Sequence, residues 1–320
     1  MIDVLNLALP FFGLIALGYA AGKFNDLPDI GMAWMNFFLI YISLPCLFYR
    51  VLSETPIEQL GNPRFVVGTT LSTAIVFAIA FAAGLAIRHG NIAEAAIVGV
   101  AGAYGNVGYM GPGLAVSTLG PDAAAPVALI VCFDSTLAFV LVPTLMAIAG
   151  TEKRGFAVTG FHIIKQIVFH PFLIASALGI LAAAVHFKAP VALDRLMQFL
   201  QNAAAPCALF ALGVTVALRP VEKMPWEVPP AILVKLVVHP AVVLIVLSLI
   251  GNISPVWLST AVLLAALPTA LNVFIMARQY DTWVTQASST VLFSTAASVV
   301  TLIAVMWVVQ TGRLPLNLFH

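Results

Sequence analysis

The sequence predicts an all-α integral membrane protein of ten transmembrane helices, arranged as two five-helix repeats of opposite orientation. Three observations predict this class: the scarcity of charged residues, the spacing of those that remain, and a similarity between the two halves of the chain. Of the 320 residues, 62% are hydrophobic and only 8% are charged. Soluble domains carry about 25% charged residues. Because a helical span needs roughly 20 apolar residues, the composition supplies about ten spans.

The composition also excludes several classes of protein. It leaves too little polar chain for a separate catalytic or nucleic-acid-binding module, and the net charge of +1 gives no basic surface for nucleic acid. The three cysteines form no Cys-x-x-Cys pair, so neither a disulfide framework nor a zinc site is indicated. No basic stretch precedes the first apolar run, which is therefore expected to be a retained span and not a cleaved signal.

The sparse charges mark the loops between the spans. A turn signal at 251–255 divides the long uncharged stretch 236–277 into two spans. The predicted spans are 4–22, 31–52, 65–88, 94–118, 123–149, 162–186, 196–218, 229–250, 255–278 and 283–310. The first five-helix repeat then occupies residues 1–150, a short connecting loop residues 151–161, and the second repeat residues 162–320.

The orientation is predicted from the basic residues of the loops, because cytoplasmic loops are enriched in lysine and arginine. The loops after odd-numbered spans hold eight of them: Lys23, Arg88, Lys153, Arg154, Lys165, Arg219, Lys223 and Arg278. The other loops hold five: Arg50, Arg64, Lys188, Arg195 and Arg313. This asymmetry places both termini on the periplasmic or extracellular side of the cell (inner) membrane.

The repeat is visible as matching residues at a constant offset. Pro45-Cys46 in span 2 matches Pro206-Cys207 in span 7 at an offset of 161, and Asn106-Val107 in span 4 matches Asn272-Val273 in span 9 at an offset of 166. Because each repeat has an odd number of spans, the second copy must enter the bilayer from the opposite face. Inverted repeats of this kind are typical of secondary transporters, whose binding site lies at the bilayer midplane where the repeats meet.

Spans 4 and 9 contain the residues expected to form that site. Span 4 has six glycines and a proline between Gly99 and Gly113, and span 9 has a proline before its asparagine. Interrupted helices occur at membrane depth only where protein or a water-filled cavity satisfies the freed backbone groups. The alternative is that these are continuous, glycine-rich helices that pack closely against their neighbours. The predicted substrate-binding residues are Asn106, Asn272, Tyr104, Tyr109, Pro112, Pro268 and Thr269.

Three ionisable residues fall inside the predicted spans and are candidates for coupling to an ion. They are Asp134 in span 5, and Lys235 and His239, which lie one helical turn apart in span 8. Ionisable residues within the bilayer are costly unless paired, so each is a functional candidate. Two alternatives remain open: Asp134 and Lys235 neutralise each other as a fixed strut, or Lys235 extends its ammonium group to the interface.

These residues together resemble the auxin efflux carrier family. The resemblance rests on Pro-Cys-Leu-Phe at 45–48, Gly-Asn-x-Gly-Tyr-x-Gly-Pro at 105–112 and Leu-Pro-x-Ala-x-Asn at 267–272, and it covers the whole chain. The family includes plant auxin exporters and bacterial permeases for malonate-like acids. The chain differs from the long plant exporters because only residues 150–160 join its halves.

The resemblance implies the crossover fold of sodium/proton antiporters and bile-acid symporters, with helices 4 and 9 broken and crossing. A scaffold unit would consist of helices 1, 2, 6 and 7. A mobile transport unit would consist of helices 3–5 and 8–10, which move as an elevator.

The function predicted is alternating-access transport of a small organic anion, either auxin-like or malonate-like. Asparagine amides and helix N-termini suit an anion. A sodium-coupled symporter of the bile-acid type is one alternative. An integral membrane enzyme is a remote one, since no nucleophile elbow, metal cluster or diphosphate motif is present. No catalytic residue, metal or cofactor is expected. The expected partners are the substrate anion, a coupled proton or sodium ion and membrane lipid, with a homodimer left open.

Overall fold

The computed structural model describes residues 2–25, 29–151, 158, 160–161, 164–165, 168–218 and 224–315. In these residues every regular element is a helix, which confirms the all-α class. Most of the predicted connecting loop 151–161 lies outside the described residues. The helices are α1 (Ile2–Phe24), α2 (Asp29–Phe38), α3 (Leu44–Ser53), α4 (Ile57–Leu60), α5 (Pro63–Ile87), α6 (Ile92–Ala103), α7 (Gly111–Leu119), α8 (Ala124–Ile148), α9 (Pro171–Ala184), α10 (Val191–Ala217), α11 (Val228–Leu233), α12 (His239–Ile250), α13 (Pro255–Ala265), α14 (Leu271–Gln279) and α15 (Val284–Gln310).

Several of these helices match the dimensions of a bilayer. Within the described residues, six helical segments are long and apolar enough to cross a membrane: Gly31–Ser53, Pro63–Ile87, Pro121–Ile148, Val191–Ala217, Val228–Ile250 and Val284–Gln310. Four further apolar helices are shorter: Leu9–Phe24, Ile92–Ala103, Pro171–Ala184 and Pro255–Ala265. An integral membrane protein is therefore supported, whereas the ten-span inverted repeat stays a prediction.

Two of the long segments contain a turn of π-helix beside a proline. The first turn, Leu39–Ser43, lies between α2 and α3, and the second, Val234–Val238, lies between α11 and α12. Pro45 and Pro240 follow them closely. A proline lacks an N–H group and its ring clashes with the carbonyl four residues earlier. A π-turn relieves this conflict because its hydrogen bonds reach one residue further back. The second π-turn also carries Lys235.

The chain forms two compact units. Unit 1 comprises Met1–Asn62, Gly108–Cys132 and Val168–Pro220, and unit 2 comprises Pro63–Val107, Phe133–Ile167 and Val221–His320. Unit 1 thus holds α1–α4, α7, α9, α10 and the first residues of α8. Unit 2 holds α5, α6, the rest of α8 and α11–α15. The assignment of a scaffold role and a transport role to groups of helices stays a prediction.

Unit 1 is built on two close helix contacts made by glycine. On α1, a Cβ atom added to Gly18 would lie 2.1 Å from the carbonyl oxygen of Phe210 in α10. On α9, a Cβ atom added to Gly179 would lie 2.7 Å from the carbonyl oxygen of Tyr49 in α3. Small residues allow such approach between helices in a membrane, where van der Waals packing replaces the hydrophobic effect as the driving force.

Unit 2 buries the two helices that end inside it. Every residue of α13 from Trp257 to Ala265 is buried, and so is α6 from Ala95 to Ala103. Helix α6 packs against α5, where a Cβ atom on Gly84 would lie 2.9 Å from the Cα atom of Ala95. The ends of α6 and α13 expose backbone groups that need partners within the protein.

Both predicted helix interruptions are present. Helix α6 ends at Ala103 and α7 begins at Gly111, while α13 ends at Ala265 and α14 begins at Leu271. The alternative of continuous glycine-rich helices in spans 4 and 9 is therefore wrong. Glycine and proline weaken helices, and at these positions the chain leaves the helical conformation for several residues.

Candidate functional site

The two interruptions pair with each other through their backbones in unit 2. The N–H group of Asn106 donates to the carbonyl oxygen of Pro268 at 2.8 Å, and that of Ala270 donates to the carbonyl oxygen of Tyr104 at 3.0 Å. Gly105 and Thr269 stand opposite each other between these bonds as an isolated antiparallel bridge. The freed backbone groups of one interruption thus satisfy those of the other, as membrane depth requires.

Thr269 strengthens this pairing with two further hydrogen bonds. Its hydroxyl donates to the carbonyl oxygen of Ala101 in the last turn of α6 at 2.9 Å. Its N–H group donates to the hydroxyl oxygen of Ser294 in α15 at 3.1 Å. The Thr269 side chain therefore serves to join α6 to the second interruption.

Asn106 carries a buried polar atom that the protein does not satisfy. The residue is 2% exposed, and its side-chain nitrogen Nδ2 has no hydrogen-bond partner among the described residues. An asparagine amide offers two donors and one acceptor, and a buried donor without a partner costs about 1–3 kcal/mol. Buried polar groups are satisfied in most proteins, so this amide is a candidate to donate hydrogen bonds to a ligand.

Asn272, the counterpart of Asn106 in span 9, belongs to a second polar group. The hydroxyl of Tyr104 lies 2.9 Å from the hydroxyl of Ser135 in α8 and interacts with the side chain of Asn272. Asn272 is half-buried near the start of α14. Tyr104 and Asn272, both predicted site residues, are therefore brought together by the structure.

The three ionisable residues form one connected network in unit 2. The hydroxyl of Thr73 in α5 donates to Oδ1 of Asp134 at 3.1 Å and lies 3.4 Å from Nε2 of His239. Nδ1 of His239 lies 3.0 Å from Nζ of Lys235. Lys235 also donates to the carbonyl oxygen of Ala265, the last residue of α13. The ammonium group therefore stabilises the negative end of that helix.

This network bears on the two alternatives left open for the charged residues. The Lys235 side chain is fully buried, so the alternative in which it extends to the membrane interface is wrong. Among the described residues, the ion pairs within 4 Å do not include Asp134 with Lys235. Thr73 and His239 lie between the two charges, so Asp134 and Lys235 are not in direct contact. Their mutual neutralisation as a fixed strut stays an alternative to ion coupling.

Gly105 permits the close approach of Lys235 to the first interruption. A Cβ atom at this position would lie 3.1 Å from both Cε and Nζ of Lys235. A side chain here would push the ammonium group away from the interruption. The glycine of the Gly-Asn pair thus leaves room for the ammonium group beside the amide that follows it.

Two predicted site residues belong to unit 1. Tyr109 and Pro112 line a cavity of about 630 Å³ formed by α3, α7, α10 and the start of α8. Tyr109 also packs against the apolar side chains of Leu39 and Ala208. Their part in substrate binding stays a prediction, separate from the polar groups of unit 2.

The unit 1 cavity lies beside a charged cluster centred on Arg50, which was counted above only among the basic residues of the loops. Its lining includes Glu54 and Gln201. Arg50 donates to Glu54 at 2.8 Å, to Gln201 at 3.0 Å and to Asp194 at 3.0 Å. The Arg50 side chain is only 11% exposed, so this cluster ties α3 to α10 at the rim of the cavity.

Sequence reasoning missed the hydroxyl groups that complete the site. Thr73, Ser135 and Ser294 are uncharged residues within apolar helices, where a hydroxyl usually bonds the carbonyl one turn earlier. Thr69 does so, donating to the carbonyl oxygen of Phe65 at 3.0 Å. No pattern in the sequence distinguishes Thr73 from Thr69, because the difference arises only from the helices packed against α5.

Comparison with known proteins agrees with the membrane character of the chain. The profile of a family described as "Membrane transport protein" matches residues 3–155 and 149–306. The chain is also similar to a protein of Rhizobium meliloti (strain 1021) that carries the name "Putative malonate transporter". The two are 47% identical over 319 residues, which covers 100% of each.

Proposed function

Because this chain belongs to the auxin efflux carrier family of membrane transport proteins, we propose that it carries a small organic dianion of the malonate type. The family makes the chain a multi-pass membrane transporter and not an enzyme. The name of the similar Rhizobium protein supports the class of substrate. The observation that carries the proposal is the buried Asn106 amide, whose donors lie unused beside two interrupted helices.

The proposed binding groups are those that surround the interruptions. Asn106 and Asn272 donate to carboxylate oxygens, and the N-terminus of α14 presents partial positive charge beside Asn272. Lys235 contributes a full positive charge to unit 2 and so offsets the negative charge of the anion. Tyr109 and Pro112 are proposed to line the substrate path. Pro268 and Thr269 keep the second interruption open and ordered.

The inverted repeat is proposed as the basis of alternating access, and the glycine contacts of unit 1 support it. Gly18 contacts the backbone of Phe210, and Gly179 contacts the backbone of Tyr49. Gly179 lies 161 residues after Gly18, and Phe210 lies 161 residues after Tyr49, which is the offset between the two repeats. The same contact thus recurs with the halves exchanged, as two repeats of opposite orientation would require. The backbone pairing of the interruptions supports a crossing of helices 4 and 9.

We expect an elevator motion, in which the transport unit of helices 3–5 and 8–10 moves relative to the scaffold unit of helices 1, 2, 6 and 7. Spin labels in a cysteine-free variant test it, with one label at Lys188 in unit 1 and one at Gln310 in unit 2, both exposed. Malonate is expected to change the distance distribution measured by pulsed electron paramagnetic resonance. The control pair, Asn25 and Lys188, lies within unit 1 and should not respond. Equal distributions for both pairs with and without malonate would argue for a static protein.

The proposed activity is tested with purified protein in liposomes. Uptake of isotopically labelled malonate should exceed that of protein-free liposomes, and the accumulated malonate should be chemically unchanged. Malonate should also raise the unfolding temperature in detergent, since a ligand that binds only the folded state stabilises it by mass action. Acetate and indole-3-acetate serve as comparison anions. A protein stabilised by neither malonate nor any related dicarboxylate would contradict the proposed substrate.

Coupling to a cation is proposed for Asp134, Lys235 and His239. The liposome assay separates the two coupling ions by imposing a pH gradient or a sodium gradient in turn. Uptake that depends on the sodium gradient alone would favour the alternative of a bile-acid-type symporter. The placement of both termini outside the cytoplasm stays a prediction, and so does the formation of a homodimer. Four of the basic residues on which the predicted orientation depends lie outside the described residues: Lys153, Arg154, Arg219 and Lys223.

A further inference from the structure

We propose that Thr73 and His239 form a proton relay between Lys235 and Asp134, so that the ion coupled to transport is a proton. The coupling part of this inference rests on the proposed transport function. The relay itself rests on three contacts in unit 2: 3.0 Å from Lys235 to His239, 3.4 Å from His239 to Thr73 and 3.1 Å from Thr73 to Asp134. Each contact joins a possible donor to a possible acceptor.

The chemistry of the groups sets the direction of the chain. A lysine ammonium group only donates, so Nδ1 of His239 accepts and Nε2 carries the proton of the neutral ring. Nε2 then donates to Oγ1 of Thr73, whose own proton is left to donate to Oδ1 of Asp134. Every hydrogen bond therefore points from the ammonium group to the carboxylate, as a proton relay requires.

The transfer moves one positive charge without leaving a charged intermediate group. The N–H bond of Lys235 breaks as its proton bonds to Nδ1 of His239. The Nε2 proton passes to Thr73, and the Thr73 proton passes to Asp134. Lys235 becomes a neutral amine and Asp134 a neutral acid, while His239 and Thr73 keep their charge. This transfer by itself does not change the number of protons in the network. A proton taken from the aqueous phase then returns Lys235 to its ammonium form, so that the network holds one proton more, which it can later release.

The side chains and backbone groups packed closest around the network are uncharged. Tyr104 interacts with Asp134 from the first interruption, and its hydroxyl is engaged by Ser135. Helix α13 contributes the carbonyl oxygen of Ala265 to Lys235. In the described parts of the surrounding helices and their flanks, the other charged side chains lie at or beyond helix ends: Arg64, Arg88, Glu94, Asp122, Glu227, Arg278, Asp281 and Arg313.

Thr73 is the link that can be removed with least disturbance, and α5 contains a matched control. Thr73 and Thr69 lie one helical turn apart and are both 4% exposed. The Thr69 hydroxyl donates only to backbone carbonyls of its own helix. Thr73→Val and Thr69→Val therefore make the same change of shape and polarity, but only the first interrupts the relay. Thr73→Ser keeps the hydroxyl and should restore the relay.

The first experiment measures malonate uptake into liposomes under an imposed pH gradient. We expect Thr73→Val to lose the stimulation by the gradient while malonate still raises its unfolding temperature. Thr69→Val and Thr73→Ser should keep the stimulation. A structural role of Thr73 would lower uptake equally with and without the gradient. Full stimulation in Thr73→Val, or stimulation by a sodium gradient alone, would overturn the relay.

The second experiment does not depend on the substrate. Infrared difference spectra recorded as the pH is lowered report the carbonyl band of a protonated carboxylic acid, which Asp134→Asn assigns to Asp134. We expect this band in the wild-type protein and in Thr69→Val, and its loss or displacement to another pH in Thr73→Val. An unchanged band in Thr73→Val would overturn the relay even if malonate proves not to be the substrate. A changed band without malonate transport would overturn only the proposed function.

Discussion

Replacing Asn106 by alanine is expected to weaken malonate binding by roughly ten- to hundredfold and to abolish most transport. A hydrogen bond to a charged ligand contributes about 1.5–3 kcal/mol, and the Nδ2 atom of Asn106 has no other described partner. The variant should still fold, because the bond between Asn106 and Pro268 is made by the backbone N–H group. Binding is measured calorimetrically in detergent, so that it is separated from the rate of transport.

Asn272→Ala should weaken binding to a similar extent but also lower stability, since this side chain interacts with the buried hydroxyl of Tyr104. Ser248→Ala is the matched control for Asn106, because Ser248 is 3% exposed and its hydroxyl also lacks a partner among the described residues. It should keep wild-type affinity. Wild-type affinity in Asn106→Ala would disprove contact with the anion. Failure of Asn106→Ala to fold would instead indicate that its amide stabilises the interrupted backbone.

Lys235→Met is expected to lower the free energy of unfolding by about 3–5 kcal/mol, the effect of leaving a buried charge without its counter-charge. Asp134 is 4% exposed and would remain in unit 2 with no cation. The carbonyl oxygen of Ala265 would lose the hydrogen bond that it accepts from the ammonium group. Chemical unfolding of the purified protein in mixed micelles measures the change.

The double variant Lys235→Met/Asp134→Asn separates these two causes. Removing the carboxylate should recover a large part of the lost stability, while the unpaired carbonyl of Ala265 keeps the double variant below the wild type. Lys188→Met, at an exposed position in unit 1, should change the stability little. A Lys235→Met protein as stable as the wild type would contradict the buried charge network. A double variant less stable than the single one would contradict the role of Asp134 in it.

The membrane class and the positions of the helix interruptions followed from the sequence alone. Charged residues are too few to cover a soluble surface, and this property of composition does not depend on how the chain folds. Glycine and proline act on the local backbone, so the clusters around Asn106 and Pro268 predicted where helices would end. The motifs at the same positions indicated the family, which the comparisons confirm.

The partners of the ionisable residues were decided only by the tertiary structure. The sequence placed Lys235 and His239 one turn apart, but it contained no sign that Thr73 would stand between His239 and Asp134. The hydrogen-bond partner of a hydroxyl in an apolar helix depends on which helix packs against it. Likewise, nothing in the sequence marks Gly18 as a glycine that lies against the backbone of Phe210. Composition and local pattern determine where a helix forms and ends, whereas contacts between residues distant in sequence arise from packing.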